Sequence, residues 1–188
     1  MIEEAKDPET STERLEELAT SDNIQIRQAV AQNSAAPHHV LEKLSMDESE
    51  FVRVRVAANI ATPSSILDRL GHDENAFVRE FVAEHPNTSK EMLVKLSEDE
   101  SVLSWVAGNP NTPTEVLDRL SRHHDPFVLI SIVVNPAVSS ETLYRLSRHE
   151  DENVRAAILK NPTVPQSLVK KLQSDSSEQV REAALQKK

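Results

Sequence analysis

One leucine position recurs at an almost constant interval along the chain, and this period restricts the possible folds more than any other feature of the sequence. The recurring leucine closes a short apolar motif at Leu18, Leu44, Leu70, Leu96, Leu120, Leu146 and Leu172. Its spacing is 26 residues throughout, except for one interval of 24 residues. A second marker keeps the same intervals at Asn33, Asn59, His85, Asn109, Asn135 and Asn161. The sequence therefore predicts seven repeats, with two residues deleted from the fourth.

Each repeat carries two helical signals, and the first begins with residues that favour a helix start. Threonines followed three residues later by glutamate give the capping-box pattern at Thr10, Thr88 and Thr112. Prolines suited to the first helical position occur at Pro37, Pro63, Pro113 and Pro165. Apolar residues at helical spacing follow, so the pattern predicts a first helix of about two and a half turns.

The second helical signal begins with a residue that is preferred as an N-cap, three positions before a core valine or isoleucine. These residues are Asn23, Ser49, Asn75, Asp99, Asp125, Asp151 and Ser177. Each second helix is predicted to end at the Asn or His marker, mostly because a proline follows and disfavours the α conformation before it. The deletion lies between Leu96 and Asp99. It is predicted to shorten a loop and to leave both helices of repeat four whole.

Two short helices per repeat cannot bury their apolar faces alone, so the repeats must stack on one another. No period-two alternation of useful length is present, which predicts that the chain has no β-sheet. The predicted fold is an all-α solenoid of seven two-helix repeats in a single domain, residues 1–188. The repeats span approximately residues 10–33, 34–59, 60–85, 86–109, 110–135, 136–161 and 162–188.

The repeat sequences resemble those of a known family. The stretches "NPNTPTEVLDRLS", "DENVRAAILKNP" and "ENAFVREFVAEHP" are similar to the leucine-rich repeat variant, a bacterial and archaeal module related in style to HEAT repeats. The resemblance implies a right-handed superhelix without strands, in which the first helix is short and partly 3₁₀ and the second is α. Some members carry a cysteine-ligated iron–sulfur domain ahead of the repeats. That feature does not carry over, because this chain has no cysteine.

Composition excludes several classes of function. Without cysteine there are no thiolate metal sites and no thiol nucleophile. The sequence has only two glycines, so it lacks the glycine-rich loops that hold phosphates. No secretory signal and no membrane-spanning run is visible, and no nucleophile motif occurs. We therefore expect a cytoplasmic protein that is not an enzyme and has no cofactor or metal.

Two columns of basic residues recur with the repeat. One column precedes the recurring leucine at Lys43, Arg69, Lys95, Arg119, Arg145 and Lys171. The other, which we call the arginine column, follows the core valine or isoleucine at Arg27, Arg53, Arg79, Arg155 and Arg181. Either column could track a phosphate backbone or an acidic peptide. The net charge of −10 favours structural roles instead, with the arginines between repeats and bonded to loop carboxylates.

Two further sets of polar residues have both a structural and a functional interpretation. The asparagine markers could line a binding strip, but we favour amides that satisfy backbone groups at helix ends. His123, His124 and His149 lie in corresponding loops beside carboxylates and form a conceivable metal cluster. Solvated loop histidines are the favoured interpretation, because the carboxylates already serve as N-caps.

The strongest irregularity is a group of apolar residues in repeats four and five. Leucines replace the arginine column there, the only tryptophan is nearby, and two outward positions of the second helix are apolar. The residues concerned are Leu103, Trp105, Leu129, Ile130 and Val134. They predict either an anchor for a protein partner or self-contact, or side chains that fill space left by the deletion.

Three functions are compatible with these patterns. The first is a non-catalytic protein–protein interaction scaffold whose partner is another protein or a second copy. The second is a phosphate- or nucleic-acid-binding protein that uses the lysine and arginine columns, although the acidic charge disfavours nucleic acid. The third is an accessory subunit of an enzyme. The sequence favours the scaffold, and no membrane partner is expected.

Overall fold

The computed structural model describes residues 1–187, and the chain is helical throughout that range. It contains fifteen α-helices and one 3₁₀ turn, and no strand occurs among these residues. The predicted all-α architecture of two-helix repeats is confirmed. The chain divides into two compact units, Met1–Met92 and Leu93–Lys188. Lys188, which the sequence assigns to repeat seven, lies outside the described residues.

The first helices of the repeats are short, regular α-helices of seven residues. They are α2 (Thr12–Leu18), α4 (His38–Leu44), α6 (Ser64–Leu70), α8 (Lys90–Leu96), α10 (Thr114–Leu120), α12 (Ser140–Leu146) and α14 (Gln166–Leu172). Bonds of the 3₁₀ type occur at both ends of these helices; at the start of α4, the N–H of Val40 bonds the carbonyl of Pro37, three residues back. In repeat two, for example, the N–H groups of Met46 and Asp47 bond the carbonyls of Lys43 and Leu44, three residues back.

The second helices are longer in most repeats. They are α3 (Ile24–Gln32), α5 (Glu50–Ala58), α7 (Ala76–Glu84), α9 (Leu103–Gly108), α11 (Pro126–Val134), α13 (Glu152–Ile158) and α15 (Glu178–Gln186). The predicted N-caps are confirmed where the side chain is Asn or Asp, because each accepts the N–H two residues further on. The serines differ, since neither Ser49 nor Ser177 makes a side-chain capping bond.

Each repeat builds its core from both helices. In repeat two, α4 contributes Leu41 and Leu44 while α5 contributes Val52 and Val56, and all four are buried. Burying one such side chain stabilises the fold by about 1.5–3 kcal/mol. The second helices of successive repeats then pack directly on one another, α3 on α5 on α7 in the first unit and α9 on α11 on α13 on α15 in the second.

The first helices begin one residue later than the sequence predicts. The four prolines are extended N-cap residues rather than the first helical residue. Thr88 and Thr112 do not cap the helix that follows. Instead each hydroxyl donates to a carbonyl of the preceding second helix, that of Val82 or Val106. The capping-box assignment is therefore wrong, because satisfying these C-terminal carbonyls takes the threonine away from the next helix.

Repeat four also departs from its prediction. Only three residues link its helices, Ser97 to Asp99, where five residues do so in repeat two. The second helix then starts with a 3₁₀ turn at Glu100–Val102, and α9 has only six residues. Val102 leaves the α conformation, at φ −121° and ψ 5°. Both deleted residues therefore come from the loop, as predicted, and the helical span 100–108 keeps the nine residues of α5. The shorter connection changes only the first turn of this span, which is 3₁₀ instead of α.

A helix that the sequence analysis missed precedes repeat one. This helix, α1 (Ile2–Lys6), packs against α3. The side-chain amide of Asn33 donates to the carbonyls of Ala5 and Asp7, at 3.0 and 2.9 Å. Thr10 donates its hydroxyl to the carbonyl of Glu4. These bonds repeat those of the later repeats, so α1 takes the place of a second helix ahead of the first complete repeat.

No helix within residues 1–187 combines the length and the apolar character needed to cross a membrane.

Candidate functional site

The asparagine column is a backbone-satisfying ladder. The amide nitrogen of Asn59 donates to the carbonyls of Ala31 and Asn33, at 2.7 and 2.9 Å, and its oxygen accepts the N–H of Ala61. Asn33, Asn135 and Asn161 repeat this arrangement. Because both amide hydrogens of these four asparagines are used, none of the four offers a donor to a ligand.

His85 occupies one asparagine position and makes equivalent bonds. Its Nε2 donates to the carbonyl of Asn59 at 3.0 Å, and its Nδ1 accepts the N–H of Asn87 at 3.0 Å. This pattern requires the neutral ring. Burial lowers the pKa of His85, and the bond to Asn59 only partly opposes that shift. His85 is therefore a structural residue of the ladder.

The arginine column joins neighbouring repeats through buried ion pairs. Arg53 bonds both carboxylate oxygens of Asp73, at 2.6 and 3.0 Å, and its Nη1 donates to the carbonyls of Asp47 and Glu48. Arg27–Asp47 and Arg155–Asp175 have the same geometry. The hydrogen bond from Arg155 holds the pKa of Asp175 below its usual value although burial opposes this. The predicted position between repeats is confirmed for Arg27, Arg53 and Arg155.

Two residues of the predicted apolar spot belong to the core instead. Leu103 is 3% exposed and Leu129 is 1% exposed. Neither side chain is available to a partner, so the surface hypothesis is wrong for both. A leucine at an arginine position has no guanidinium group that must stay near solvent. Its side chain is therefore buried among the apolar residues of the stacked second helices.

Histidines accompany these leucines. His123 and His149 stand at the positions where Asp47, Asp73 and Asp175 stand in other repeats. The Nδ1 atoms of His123 and His149 accept the N–H groups of Asp125 and Asp151, both at 3.1 Å. The aspartates accept the equivalent N–H with Oδ1. The two histidines thus serve as turn acceptors, and residues 1–187 contain no group of three side chains that could hold a metal ion.

The basic column before the recurring leucine is exposed but partly anchored. Arg119 and Lys171 donate to the hydroxyls of Ser97 and Ser147 in the preceding repeat, at 2.5 and 3.1 Å. Arg145 bonds Ser121 in the same way, and Arg69 bonds Ser45 and Glu42. Lys43 and Lys95 are exposed at the two remaining positions. Arg119, Arg122 and Arg145 line a pocket of about 270 Å³ that also contains Asp118.

The other three predicted apolar residues do reach the surface. Trp105 is 41% exposed on α9, which packs against α11. Ile130 and Val134 are half-buried on α11, one turn apart. Ile130 lines a groove of about 430 Å³ together with Phe127, a residue that the sequence analysis did not select. The part of the predicted spot that can meet a partner is therefore the outer side of α9 and α11.

A second groove, in the first unit, was missed by the sequence analysis. It has a volume of about 400 Å³, and its apolar walls are Phe51, Val54, Phe77 and Phe81 on α5 and α7. We call it the aromatic groove. A signal for it exists in the sequence, because the residue before the core valine or isoleucine is polar in four of the other five repeats, the exception being Phe127. The polar residues are Gln25, Ser101, Asn153 and Gln179.

Comparison with known proteins identifies the type of repeat. Residues 76–101 match the family model described as leucine rich repeat variant. A solved structure described as a leucine-rich repeat variant with a novel repetitive structural motif aligns with a TM-score of 0.68 at 24% identity, over 95% of this chain and 72% of that one. An engineered protein aligns less well, with a TM-score of 0.40 at 19% identity, over 92% of this chain and 66% of that one. No curated protein matches the sequence. The resemblance to the leucine-rich repeat variant is thus confirmed.

Proposed function

We propose that this chain, which shares the leucine-rich repeat variant fold, is a non-catalytic scaffold that binds another protein or a second copy through the outer side of its second helices. One observation carries the proposal. Large apolar side chains are exposed at corresponding outward positions of several second helices, where the remaining repeats have polar residues. Apolar patches with polar surroundings are typical of partner sites. Stacked helical repeats commonly present such extended surfaces.

The contact centre we propose lies in repeats four and five. Its residues are Trp105, Ile130 and Val134, to which the geometry adds Phe127. Tryptophan and neighbouring aliphatic residues are frequent anchors of protein interfaces. The non-catalytic role is supported by the polar columns, whose amides and guanidinium groups are occupied by backbone and carboxylate partners. We place the protein in the cytoplasm and expect neither nucleic acid nor membrane as its main partner.

The test uses Ile130→Asp with Val134→Asp. Two carboxylates on this surface should abolish capture of partners from native lysate, and they should abolish any self-association seen by light scattering, because a charge cannot be buried in an apolar contact without a partner. The matched control is Gln186→Asp, which, together with the native Glu182, places two carboxylates at the same two helix positions of repeat seven. Unchanged association of the α11 variant, with native circular dichroism, would contradict the proposal.

A second candidate is anion binding by the basic column. It is supported by Arg119 and Arg145, whose hydrogen bonds within the second unit go to neutral hydroxyls, and by the pocket they share with Arg122. Affinity for a single-stranded oligonucleotide that falls steeply with salt would favour this candidate over the scaffold.

A further inference from the structure

The aromatic groove exposes a large part of the aromatic surface of this protein. Three of the four phenylalanines of the chain line it. Phe51 is 61% exposed and Phe77 is 64% exposed, although the adjacent core residues Val52 and Val78 are fully buried. Folding therefore gains little from these two rings. A ring that a partner covered would bury a large further area, since aromatic residues bury about 150–250 Å² each when enclosed.

The groove has a regular construction. Phe51 and Phe77 take the same position in two successive repeats, so their rings project from neighbouring helices on the same face. Val54 of α5 and Phe81 of α7 complete the lining. Packed helices lie about 8–10 Å apart, and this distance sets the approximate spacing of the two exposed rings. An α-helix places residues seven apart at about 10.5 Å, so an incoming helix could place one anchor against each ring.

The lining of the groove carries one anion and one cation, Glu50 and Arg55, whereas its rim, formed by residues that neighbour the lining in sequence, is acidic. Glu80 and Glu84 lie along α7. Glu48 and Glu74 stand almost fully exposed in the loops that lead into α5 and α7. Arg55 is the only cation among the lining residues.

The two loop glutamates are only weakly neutralised by the protein itself. Glu48 lies 3.6 Å from Arg27, and Glu74 lies 3.9 Å from Arg53. Both guanidinium groups already bond an aspartate through two nitrogens at shorter distances. The glutamates therefore present negative charge to solvent beside the exposed rings.

We infer that the aromatic groove binds an amphipathic helix of another protein that carries apolar anchors flanked by lysine and arginine. The apolar walls fit the anchors, and the acidic rim attracts the flanking cations. Charge argues against a second copy of this chain, because each copy carries a net charge of −10. The inference deepens the proposed scaffold function by naming the chemistry of a partner, at a surface separate from the one formed by α9 and α11.

The experiment measures binding of a labelled leucine–lysine peptide, with leucines at every third or fourth position, by fluorescence anisotropy. The full chain should bind it. Phe51→Ser with Phe77→Ser should raise the Kd about tenfold or more, because both anchors lose their aromatic contacts. Leu185→Ser changes a similarly exposed apolar side chain on α15, outside both proposed surfaces, and is the matched control that should leave the Kd unchanged. All variants change exposed side chains and should keep native circular dichroism.

Two further peptides separate the apolar contribution from the electrostatic one. A version with glutamate in place of lysine should not bind, and a version with serine in place of leucine should bind at least about tenfold more weakly. The inference is overturned if the leucine–lysine peptide fails to bind, if the serine version binds equally well, if the double phenylalanine variant keeps the original Kd, or if Leu185→Ser weakens binding as much as the double variant. Those results would leave the proposed scaffold function standing, because that function is tested separately at Ile130 and Val134.

Discussion

Two kinds of joint connect the repeats, and they differ in polarity. In the ion-paired joints, Arg27–Asp47, Arg53–Asp73 and Arg155–Asp175, a buried guanidinium bonds a carboxylate of the next repeat and loop carbonyls of its own. In the apolar joints, Leu103 and Leu129 take the arginine positions, and His123 and His149 take the aspartate positions. Both kinds occur in one chain, and the two members of a joint are 20 residues apart in both. The backbone register therefore does not depend on the ion pair.

The two positions of a joint change together. Each arginine of the column that has a following repeat is matched by an aspartate 20 residues later, and each leucine is matched by a histidine at the same distance. A lone buried charge would be costly, so both members must be replaced at once. The histidine retains the one function that both joints need, which is to accept a backbone N–H in the loop. The aspartate is thus both a turn residue and a counter-ion.

The largest expected effect comes from breaking an ion-paired joint on one side. Arg155→Leu leaves the carboxylate of Asp175 without its cation and removes the donor to the carbonyls of His149 and Glu150. The free energy of unfolding should fall by about 3 kcal/mol, measured by urea denaturation followed by circular dichroism.

The matched control converts the whole joint to the other kind. Arg155→Leu with Asp175→His reproduces the residue pair of the apolar joints and should recover most of the lost stability. If the double variant is as unstable as the single one, the two joints are not interchangeable solutions, and the interpretation of the paired change is wrong.

Removing one asparagine of the ladder should cost the same stability beside either kind of joint. Asn59→Ala, beside an ion-paired joint, and Asn135→Ala, beside an apolar joint, each leave two buried carbonyls without a donor. We expect each to lower the free energy of unfolding by about 2 kcal/mol. Chemical denaturation of the two variants in parallel is the measurement. A much larger loss at one site would show that the joints also differ in how they depend on the ladder.

The stability of the two kinds of joint should also depend differently on pH, with a smaller effect than the substitutions above. The pKa of Asp175 is lowered in the folded chain by its hydrogen bond from Arg155. Its stabilisation is therefore fully present above the pKa of the unfolded carboxyl, about 3.9, and is lost as the pH falls through the folded value. The double variant Arg155→Leu with Asp175→His lacks this carboxyl. Below about pH 4, its stability should fall less with pH than that of the unaltered chain, as measured by urea denaturation at a series of pH values.

Much of the fold is predictable because the same helix-start and helix-end residues recur in every repeat. The recurring leucine, the Asn and Asp caps and the markers at the helix ends act locally, so their spacing locates the helices to within a residue or two. Thr88 and Thr112 were misassigned because capping and C-terminal bonding use the same hydroxyl, and sequence alone does not show which carbonyl or N–H lies closer. The helix α1 was missed because it contributes only one turn and one buried residue, Ala5.

The candidate site was harder to predict, because exposure depends on what neighbouring repeats cover. Ile130 and Leu129 are adjacent and equally apolar in sequence, yet one reaches a groove and the other is buried. Phe51 and Phe77 looked like ordinary helix residues until their exposure was known. The sequence signal for their exposure is their position before the core valine, because most other repeats have a polar residue at that position.

The short helix α1 completes the interface on one side of α3. It supplies the carbonyls of Ala5 and Asp7 to the amide of Asn33 and shields one side of α3 from water. Cutting the chain after Asp7 would leave that amide and that side of α3 bare. An exposed side of this kind resembles the inner boundary between two repeats, so the shortened chain should be less stable than the full one.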